Sequence, residues 1–230
     1  DQEIRSFVPS EYWTIEIVIK AGDKELTLSL DKVDGKSITI SSKEEADKIL
    51  ARIGETVDLI SLETTKKSIA SKLPFTTSTM QQEAFNRFKF STSKTQSIAQ
   101  RLYEGKDING EHVGLITYMR TDSTRLSPEF FSKHAKPFIL EKFGEEYVGH
   151  LKQAKNSASA QDAHEAIRPT GTHRTPEIVA RFVEPDEAKL YRLIYDRALA
   201  SCMSDKVEEV TSAIFETNGL TFKASGVRTL

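Results

Sequence analysis

Apolar and polar residues alternate over the first part of the chain with the two-residue period of strands that bury one face. The alternation covers residues 11–20 and 25–31, and turn-forming residues lie between them at positions 21–24. We therefore predict an antiparallel hairpin. Its buried face would carry Leu26, Leu28 and Leu30.

A helix and further strands are predicted after this hairpin. A third short strand is expected beyond residues 34–35, through residues 38–40. Ser42 followed by Glu45 is a capping-box signature, and the helix that it starts would stop at Gly54, before a strand over residues 56–63. The residues of this helix expected to face the core are Ala46, Ile49, Leu50 and Ile53.

The pattern changes to that of amphipathic helices after Pro74, which marks a boundary because the residue before a proline resists helix. Two helices are predicted, one beginning near Ser78 and one beginning near Ser93 and ending at Gly105. With a strand expected over residues 113–118, they form a helix-turn-helix with a wing-like strand or an ordinary αα-hairpin. The first helix would bury Met80, Ala84, Phe85 and Phe88, and the second Ile98 and Leu102.

The remaining elements follow from proline, glycine and helical periodicity. Pro128 is suited to the first turn of a helix, which Pro137 would break or kink. A polar, Ser/Ala-rich loop is expected over residues 152–161, and a long amphipathic helix from Asp186 to Met203. Two strands within residues 207–226 meet at Asn218-Gly219, a strong hairpin signal.

The order of strands, helices and strands predicts an α+β fold in which a helical domain interrupts a β-rich domain. The β-rich domain would combine residues 1–75 with residues 205–230. Residues 76–204 would form the helical domain.

Composition excludes some classes of protein. The 230 residues are 38% hydrophobic, which is ample for a core, and nothing in the sequence resembles a signal peptide. No apolar run approaches the roughly 20 residues that a membrane helix needs. The single cysteine, Cys202, excludes an internal disulfide and a cysteine-built zinc site, and its apolar helical surroundings favour a core position. We expect a cytosolic protein with no membrane partner.

The distribution of charge gives a weak indication of DNA binding. The net charge of −2 argues against indiscriminate binding to a polyanion. Residues 86–106 nevertheless contain five basic residues against one acidic residue, whereas acidic residues gather at residues 184–187 and 208–209. A run of charge is more often a solvated face, so the asymmetry does not define a site.

The candidate chemistry lies in GLITYMRTDSTRLS, residues 114–127. The apolar start predicts a short buried strand that presents Tyr118 at the edge of a polar turn. Because free tyrosine has a pKa of about 10, a phenol needs help to attack phosphorus. The guanidinium of Arg120 would lower that pKa and bind a phosphate. A tyrosine two residues from an arginine is more often a core residue beside a surface residue, so this pair alone is not diagnostic.

Longer strings are more specific than this pair. YMRTDS, residues 118–123, resembles the active-site motif of the type IA DNA topoisomerases, in particular those of bacteria. QDAHEAIRPT, residues 161–170, resembles the histidine-bearing segment of the same family. The resemblance also runs through residues 74–84 and 99–105, and the two motifs occur in the order expected for the family.

The resemblance implies an isomerase that cleaves single-stranded DNA through a covalent intermediate. Tyr118 would attack a backbone phosphodiester, leaving a 5′-phosphotyrosyl link and a free 3′-hydroxyl. Arg120 would stabilise the charge on the phenolate or the phosphorane. Asp122 would orient His164 and raise its pKa, so that the protonated imidazole holds a phosphate. Arg168 has a comparable claim as a phosphate contact, although an arginine before a proline also serves as a cap or salt-bridge partner.

The resemblance also implies a layout and a cofactor. A β-rich arch domain would carry the helical domain and swing it to open a gate, so that strand passage relaxes negatively supercoiled DNA. Type IA enzymes use Mg²⁺ held by acidic residues of a separate N-terminal domain, and this sequence has neither a D-x-D-type triplet nor a glycine-rich phosphate loop. We therefore expect that the metal binds elsewhere in the same polypeptide and that this chain alone does not relax DNA. The implied location is the cytoplasm, at the nucleoid.

Two other classes of function stay open on the residues alone. A non-enzymatic module that binds duplex DNA would need a basic, solvent-facing second helix, for which Lys94 and Arg101 give thin support. An enzyme that uses Tyr118 on another phosphate ester is compatible with the residue types but not favoured by the two long strings.

Overall fold

The computed structural model describes residues 2–151 and 164–230. The predicted loop at residues 152–161 and the first three residues of the second motif, Gln161, Asp162 and Ala163, lie outside the described residues. The chain divides into two compact units, which are described separately below: residues 1–69 with 207–230, and residues 70–206.

The secondary structure mixes helices with antiparallel strands, so the α+β class is confirmed at that level. The strands are β1 (Glu16–Ala21), β2 (Lys24–Val33), β3 (Asp58–Ile69), β4 (Lys106–Ile108), β5 (Glu111–Val113), β6 (Lys206–Thr217) and β7 (Leu220–Thr229). The helices are α1 (Gln2–Ser6), α2 (Lys43–Leu50), α3 (Thr77–Phe88), α4 (Thr92–Glu104), α5 (Pro128–Phe130), α6 (Lys136–Phe143), α7 (Pro176–Val179) and α8 (Pro185–Ser201).

The first unit is built on a five-stranded sheet with the order β1-β2-β7-β6-β3. The two hairpins predicted from the sequence are confirmed: β1 pairs antiparallel with β2, and β6 pairs antiparallel with β7. At the second turn Asn218 and Gly219 have φ of 49° and 79°. Positive φ at both positions is what a two-residue type I′ turn requires, which explains the strength of the Asn-Gly signal.

The core of the first unit differs in detail from the prediction. Leu28 is fully buried as expected, but Leu26 is 36% exposed and Leu50 is 46% exposed. The strand expected through residues 38–40 is reduced to an isolated bridge between Trp13 and Ile40. Periodicity predicts which side chains share a face. How deeply each of them is buried depends on how much of that face the other elements cover. The core consists of Ile15, Leu28, Ile40, Ala46, Ile49, Leu220 and Phe222.

The second unit contains the two predicted helices, α3 and α4, packed around one core. Each helix begins at a side-chain cap, Thr76 for α3 and Ser91 for α4. Phe85 was predicted to be buried but is 55% exposed, because the buried stripe of α3 is narrower than its apolar residues suggest. The residues of α4 that enter the core include Ile98, Ala99 and Leu102.

Three further elements of the second unit depart from or refine the prediction. The strand expected over residues 113–118 ends at Val113, and beyond it a single bridge joins Ile116 to Pro169. The helix that begins at Pro128 widens into a π-helical turn, Phe131–Ala135, just before Pro137. Pro137 has no N–H to donate, and the helical path continues beyond it as α6. Cys202 is 1% exposed, which confirms its predicted core position.

The basic residues in the window 86–106 are mostly neutralised by acids of the second unit. Four of the five contact a total of three carboxylates, all of which lie outside that window, two of them within residues 184–187 and one at residue 83. The sequence window did not show this because three of the four pairs join residues that are more than eighty positions apart. The pairs are Arg87 with Glu83, Lys94 with Asp186, and both Arg101 and Lys106 with Glu187.

Glu187 is the buried centre of this charge network. Its side chain is 1% exposed, and its carboxylate accepts hydrogen bonds from Arg101 Nε at 2.5 Å and Lys106 Nζ at 2.8 Å. Burial alone would raise the pKa of Glu187, but the hydrogen bonds from Lys106 and Arg101 outweigh it, so the pKa lies below the ordinary value. The network therefore ties α4 and β4 to the start of α8.

Replacing Glu187 by glutamine is expected to lower the free energy of unfolding by about 2 kcal/mol, measured by urea titration. Removing one partner of a buried ion pair typically costs about 3–5 kcal/mol. We expect less because Arg101 is 46% exposed and water can solvate it. The matched control is Asp186→Asn, which removes an exposed partner from the same helical turn and should cost less.

The lowered pKa of Glu187 also sets the pH range of this contribution. A carboxyl with a lower pKa in the folded chain stabilises it above the unfolded pKa, about 4.3 for glutamate, and loses that contribution as the pH falls through the folded value. The stability difference between wild type and Glu187→Gln should be constant near neutral pH and shrink in acid. A difference that grows on acidification would contradict the assignment.

Within the described parts of the chain, no helix combines the length and the apolar character needed to cross a membrane.

Candidate active site

Tyr118 lies at the surface of the second unit rather than in its core. Its side chain is 41% exposed, and its ring packs edge-to-face on the ring of Tyr103, with the centroids 5.2 Å apart. Tyr103 belongs to the last turn of α4 and is also 41% exposed. The contact restrains the ring of Tyr118 on one side and leaves the remaining surface open to solvent.

The chain that leads to Tyr118 is fixed against α4. The N–H of Leu115 donates to the carbonyl oxygen of Leu102 at 2.8 Å. Gly114 lies so close to α4 that a Cβ at this position would be 2.9 Å from the carbonyl oxygen of Tyr103. The sequence therefore needs glycine here to let the two backbones approach.

Beyond Tyr118, buried and exposed side chains alternate. Met119 is fully buried and Thr121 is 9% exposed, whereas Arg120 between them is exposed. Among residues 2–151 and 164–230, the guanidinium of Arg120 forms no hydrogen bond or ion pair. An exposed guanidinium without an internal carboxylate is available for an external anion such as a phosphate.

The structure joins the tyrosine segment to the second motif. The N–H of Thr117 donates to the carbonyl oxygen of Arg168 at 2.9 Å, and the hydroxyl of Thr117 donates to the carbonyl oxygen of Ala166 at 2.8 Å. The N–H of Ala166 in turn donates to the carbonyl oxygen of Arg125 at 2.8 Å. The two motifs, which lie about forty positions apart in the sequence, therefore form one surface.

A third segment completes this arrangement. Phe75 is fully buried and forms an isolated antiparallel β-bridge with Ile167. Two residues later, the N–H of Thr77 donates to the carbonyl oxygen of Thr121 at 2.9 Å. Residues 74–84 belong to the family resemblance, but no local pattern predicts their role, because they contribute a contact with distant backbone.

His164 and Asp122 are exposed on this side of the second unit. No hydrogen bond joins Asp122 to His164 in the part of the chain that the structure describes, and their predicted pairing stays a prediction. Residues 164–168 form no helix, and Ile167 pairs with Phe75 in an isolated antiparallel bridge. Extended backbone is also what the residue before Pro169 favours.

Arg168 is engaged within the protein. Its guanidinium donates to Glu165 Oε2 at 2.7 Å and to the carbonyl oxygen of Pro169 at 3.0 Å, and it lies 4.5 Å from the ring centroid of Phe130. Only 14% of the side chain is exposed. These contacts match the alternative role as a structural salt-bridge partner, and a phosphate contact stays a prediction.

Over residues 2–151 and 164–230, no three or more His, Cys, Asp or Glu side chains gather closely enough to hold a metal ion.

Comparison with known proteins agrees with the fold and the two motifs. The family model described as DNA topoisomerase matches residues 1–230. DNA topoisomerase 1 of Campylobacter jejuni subsp. jejuni serotype O:2 is 41% identical over 234 aligned residues, which cover 100% of this chain and 33% of that protein. The structure of full-length topoisomerase I from Thermotoga maritima superposes with a TM-score of 0.79 at 36% identity, over 100% of this chain and 36% of that one.

The chain therefore belongs to the DNA topoisomerase family. Within that family, the two motifs and the two relatives place it in the type IA class. The chain spans about a third of the length of the relatives that it matches.

Proposed function

We propose that this chain is the tyrosine-bearing part of a longer type IA topoisomerase that relaxes negatively supercoiled DNA by single-strand passage. The observation that carries the proposal is the exposed phenol of Tyr118, two residues from the exposed guanidinium of Arg120. Backbone hydrogen bonds from the second motif hold the segment that presents Tyr118. The substrate is a single strand of DNA.

Cleavage and religation conserve the number of phosphodiester bonds. The phenol oxygen of Tyr118 loses its proton and bonds to the scissile phosphorus, while the bond from phosphorus to the 3′-oxygen breaks. The 3′-oxygen leaves as a hydroxyl, and the phosphate stays on the tyrosine as a 5′-phosphotyrosyl ester. Attack by that hydroxyl reverses the step, so resealing needs neither water nor ATP.

Arg120 stabilises the negative charge that develops on the phosphoryl oxygens. Its exposed guanidinium can approach a phosphate with two parallel N–H groups without first breaking an internal ion pair among the described residues. His164 and Asp122 act beside it, His164 as an imidazolium that binds a neighbouring phosphate and Asp122 as the carboxylate that orients it.

The proposed layout assigns the β-rich part to an arch domain and the helical part to a tyrosine domain. The arch would comprise residues 1–75 and 205–230, and the tyrosine domain residues 76–204, with α3 and α4 in a helix-turn-helix-like arrangement. Charge supports this division. Residues 70–206 contain 20 basic against 17 acidic residues, a net charge of +3, whereas the remaining residues contain 12 against 17, a net charge of −5. DNA is expected at the basic unit.

Mg²⁺ belongs to this proposal as a cofactor held elsewhere in the same polypeptide, in an N-terminal acidic domain. The partner of this chain would therefore be that domain of its own polypeptide, and without it the chain would not relax supercoiled DNA. The whole enzyme is expected in the cytoplasm, at the nucleoid.

A non-enzymatic duplex-binding module is the weaker candidate. It requires a second helix with free basic side chains that read a groove. On α4, Lys94 is paired with Asp186 and Arg101 is paired with Glu187. A helix whose cations are already paired is poorly suited to that function.

Trapping the covalent intermediate tests the proposal. The full-length protein that carries this sequence is mixed with Mg²⁺ and a single-stranded oligonucleotide, and the reaction is stopped with detergent. A label at the 3′ end of the oligonucleotide should migrate with the protein, a label at the 5′ end should be released, and peptide mapping should find the nucleotide on Tyr118. The opposite polarity, or a different modified residue, would contradict the proposal.

The dependence on the rest of the polypeptide is tested with the same reagents. The 230-residue chain alone, with Mg²⁺, should leave a supercoiled plasmid unrelaxed, and the full-length protein should relax it. Relaxation by the chain unaided would show that the metal chemistry resides within it.

A further inference from the structure

The hydroxyl of Thr77 contacts the backbone on both sides of Arg120. Oγ1 donates to the carbonyl oxygen of Met119 at 2.7 Å and accepts from the N–H of Thr121 at 2.9 Å. A hydroxyl has one proton and two lone pairs, so these two bonds are compatible with each other. The backbone N–H of Thr77 adds a third bond, to the carbonyl oxygen of Thr121 at 2.9 Å.

Thr77 is itself held firmly at the start of α3. Thr76 caps the helix, since its hydroxyl accepts from the N–H of Thr79. On the other side, the fully buried Phe75 accepts from the N–H of Ile167 at 2.9 Å. These contacts hold the backbone of Thr77 on both sides, so the position of its hydroxyl is restrained.

The residues that Thr77 contacts determine where Arg120 can point. Met119 and Thr121 are buried, and Arg120 is exposed without an internal partner in the described chain. The orientation of its side chain therefore depends on the backbone that flanks it. Tyr118 is joined directly to Met119, so the same hydrogen bond restrains the backbone beside the phenol.

We propose that Thr77 is a positioning residue for strand cleavage: its hydroxyl fixes the Met119–Thr121 backbone and thereby the relative placement of Tyr118 and Arg120. The inference rests on the proposed function and adds to it a residue from outside both motifs. Thr77 does not touch DNA in this role. Its effect reaches the reaction through the backbone that it holds.

The test compares Thr77→Val, which keeps the shape and removes the hydroxyl, with Thr77→Ser, which keeps the hydroxyl. In the full-length protein, single-turnover cleavage of a labelled single-stranded oligonucleotide should slow about 30- to 100-fold for Thr77→Val, since a misplacement of about 1 Å costs roughly 10²-fold. DNA affinity should change less than about threefold, and Thr77→Ser should restore cleavage to within about threefold of wild type.

Thr79→Val is the matched control for a purely structural effect. It removes a hydroxyl that caps the same turn of α3 and leaves the contacts with Met119 and Thr121 intact. All variants are compared below their measured unfolding temperatures, and Thr77→Ala is included in case Thr77→Val does not fold. Thr79→Val should cleave like wild type. A loss of cleavage in Thr79→Val equal to that in Thr77→Val would overturn the proposal.

A double-mutant cycle measures whether the effects of Thr77→Val and Arg120→Ala on the cleavage rate are coupled. A purely structural role of Thr77 would give no such coupling. If Thr77 acts through Arg120, Thr77→Val in an Arg120→Ala background should slow cleavage less than about threefold further. The same fold-loss in both backgrounds overturns the proposal. If the wild-type protein forms no covalent adduct, the proposed function is wrong. If the wild type forms the adduct and Thr77→Val cleaves as fast as wild type, only the proposal for Thr77 is wrong.

Discussion

Replacing Tyr118 by phenylalanine is expected to abolish the covalent DNA adduct, with cleavage slowed on the order of 10⁴-fold or more, as is typical when a nucleophile is removed. The substitution deletes only the phenol oxygen. The aromatic ring can still pack on Tyr103, whose ring centroid lies 5.2 Å away, so the local fold should persist. The measurement is adduct yield after detergent arrest, with single-stranded DNA affinity determined on the same preparation.

Tyr103→Phe is the matched control for this experiment. Tyr103 is as exposed as Tyr118, at 41%, and forms the other half of the ring contact, so its hydroxyl samples a similar environment. The control should retain adduct formation and DNA affinity. An undiminished adduct in Tyr118→Phe, or an equal loss in Tyr103→Phe, would contradict the assignment of Tyr118 as the nucleophile.

Replacing Arg120 by alanine is expected to slow cleavage by about 10²- to 10³-fold, the range for loss of one group that stabilises transition-state charge. The thermal stability should change little, since the guanidinium forms no hydrogen bond or ion pair with the described residues. Arg120→Lys should recover only part of the rate, because an ammonium cannot donate two parallel hydrogen bonds to a phosphate. Single-turnover cleavage rates and unfolding temperatures provide the measurements.

Arg181→Ala separates this effect from a general loss of positive charge. Arg181 is an exposed arginine of the second unit, and it forms no ion pair with the described residues. Its removal lowers the net charge by the same amount and should leave the cleavage rate near wild type. If Arg181→Ala slows cleavage as much as Arg120→Ala does, charge alone explains the result and the specific role of Arg120 is wrong.

Local signals predicted the elements of the fold well where one physical requirement dominates. The Asn218-Gly219 turn was predictable because few residue pairs adopt positive φ at both positions. The cap of α2 at Ser42, whose side chain accepts from the N–H of Glu45, likewise depends on nearby residues only. Burial was predicted less well: Phe85 and Leu50 lie on apolar stripes yet remain about half exposed, because neighbouring elements do not extend over them.

The candidate site was predicted from long motifs, and the roles of Tyr118, Arg120, Asp122, His164 and Arg168 stay predictions. What the sequence did not reveal is the set of contacts between distant segments. The hydrogen bonds from Thr77 to residues 119–121 cross more than forty positions, and the ion pair of Glu187 with Arg101 crosses more than eighty. The hydrophobic periodicity of a segment cannot predict such contacts, because they depend on how distant elements pack against each other.

The positions of the single tryptophan and the single cysteine have a practical consequence. Trp13 lies in the sheet unit, where it bridges Ile40, and Cys202 lies in the core of the helical unit. The chain thus carries one tryptophan, which can be excited selectively over its six tyrosines, and one thiol, each in a different unit. Indole emission and the rate of thiol labelling would follow the opening of the two units independently, without any engineered reporter.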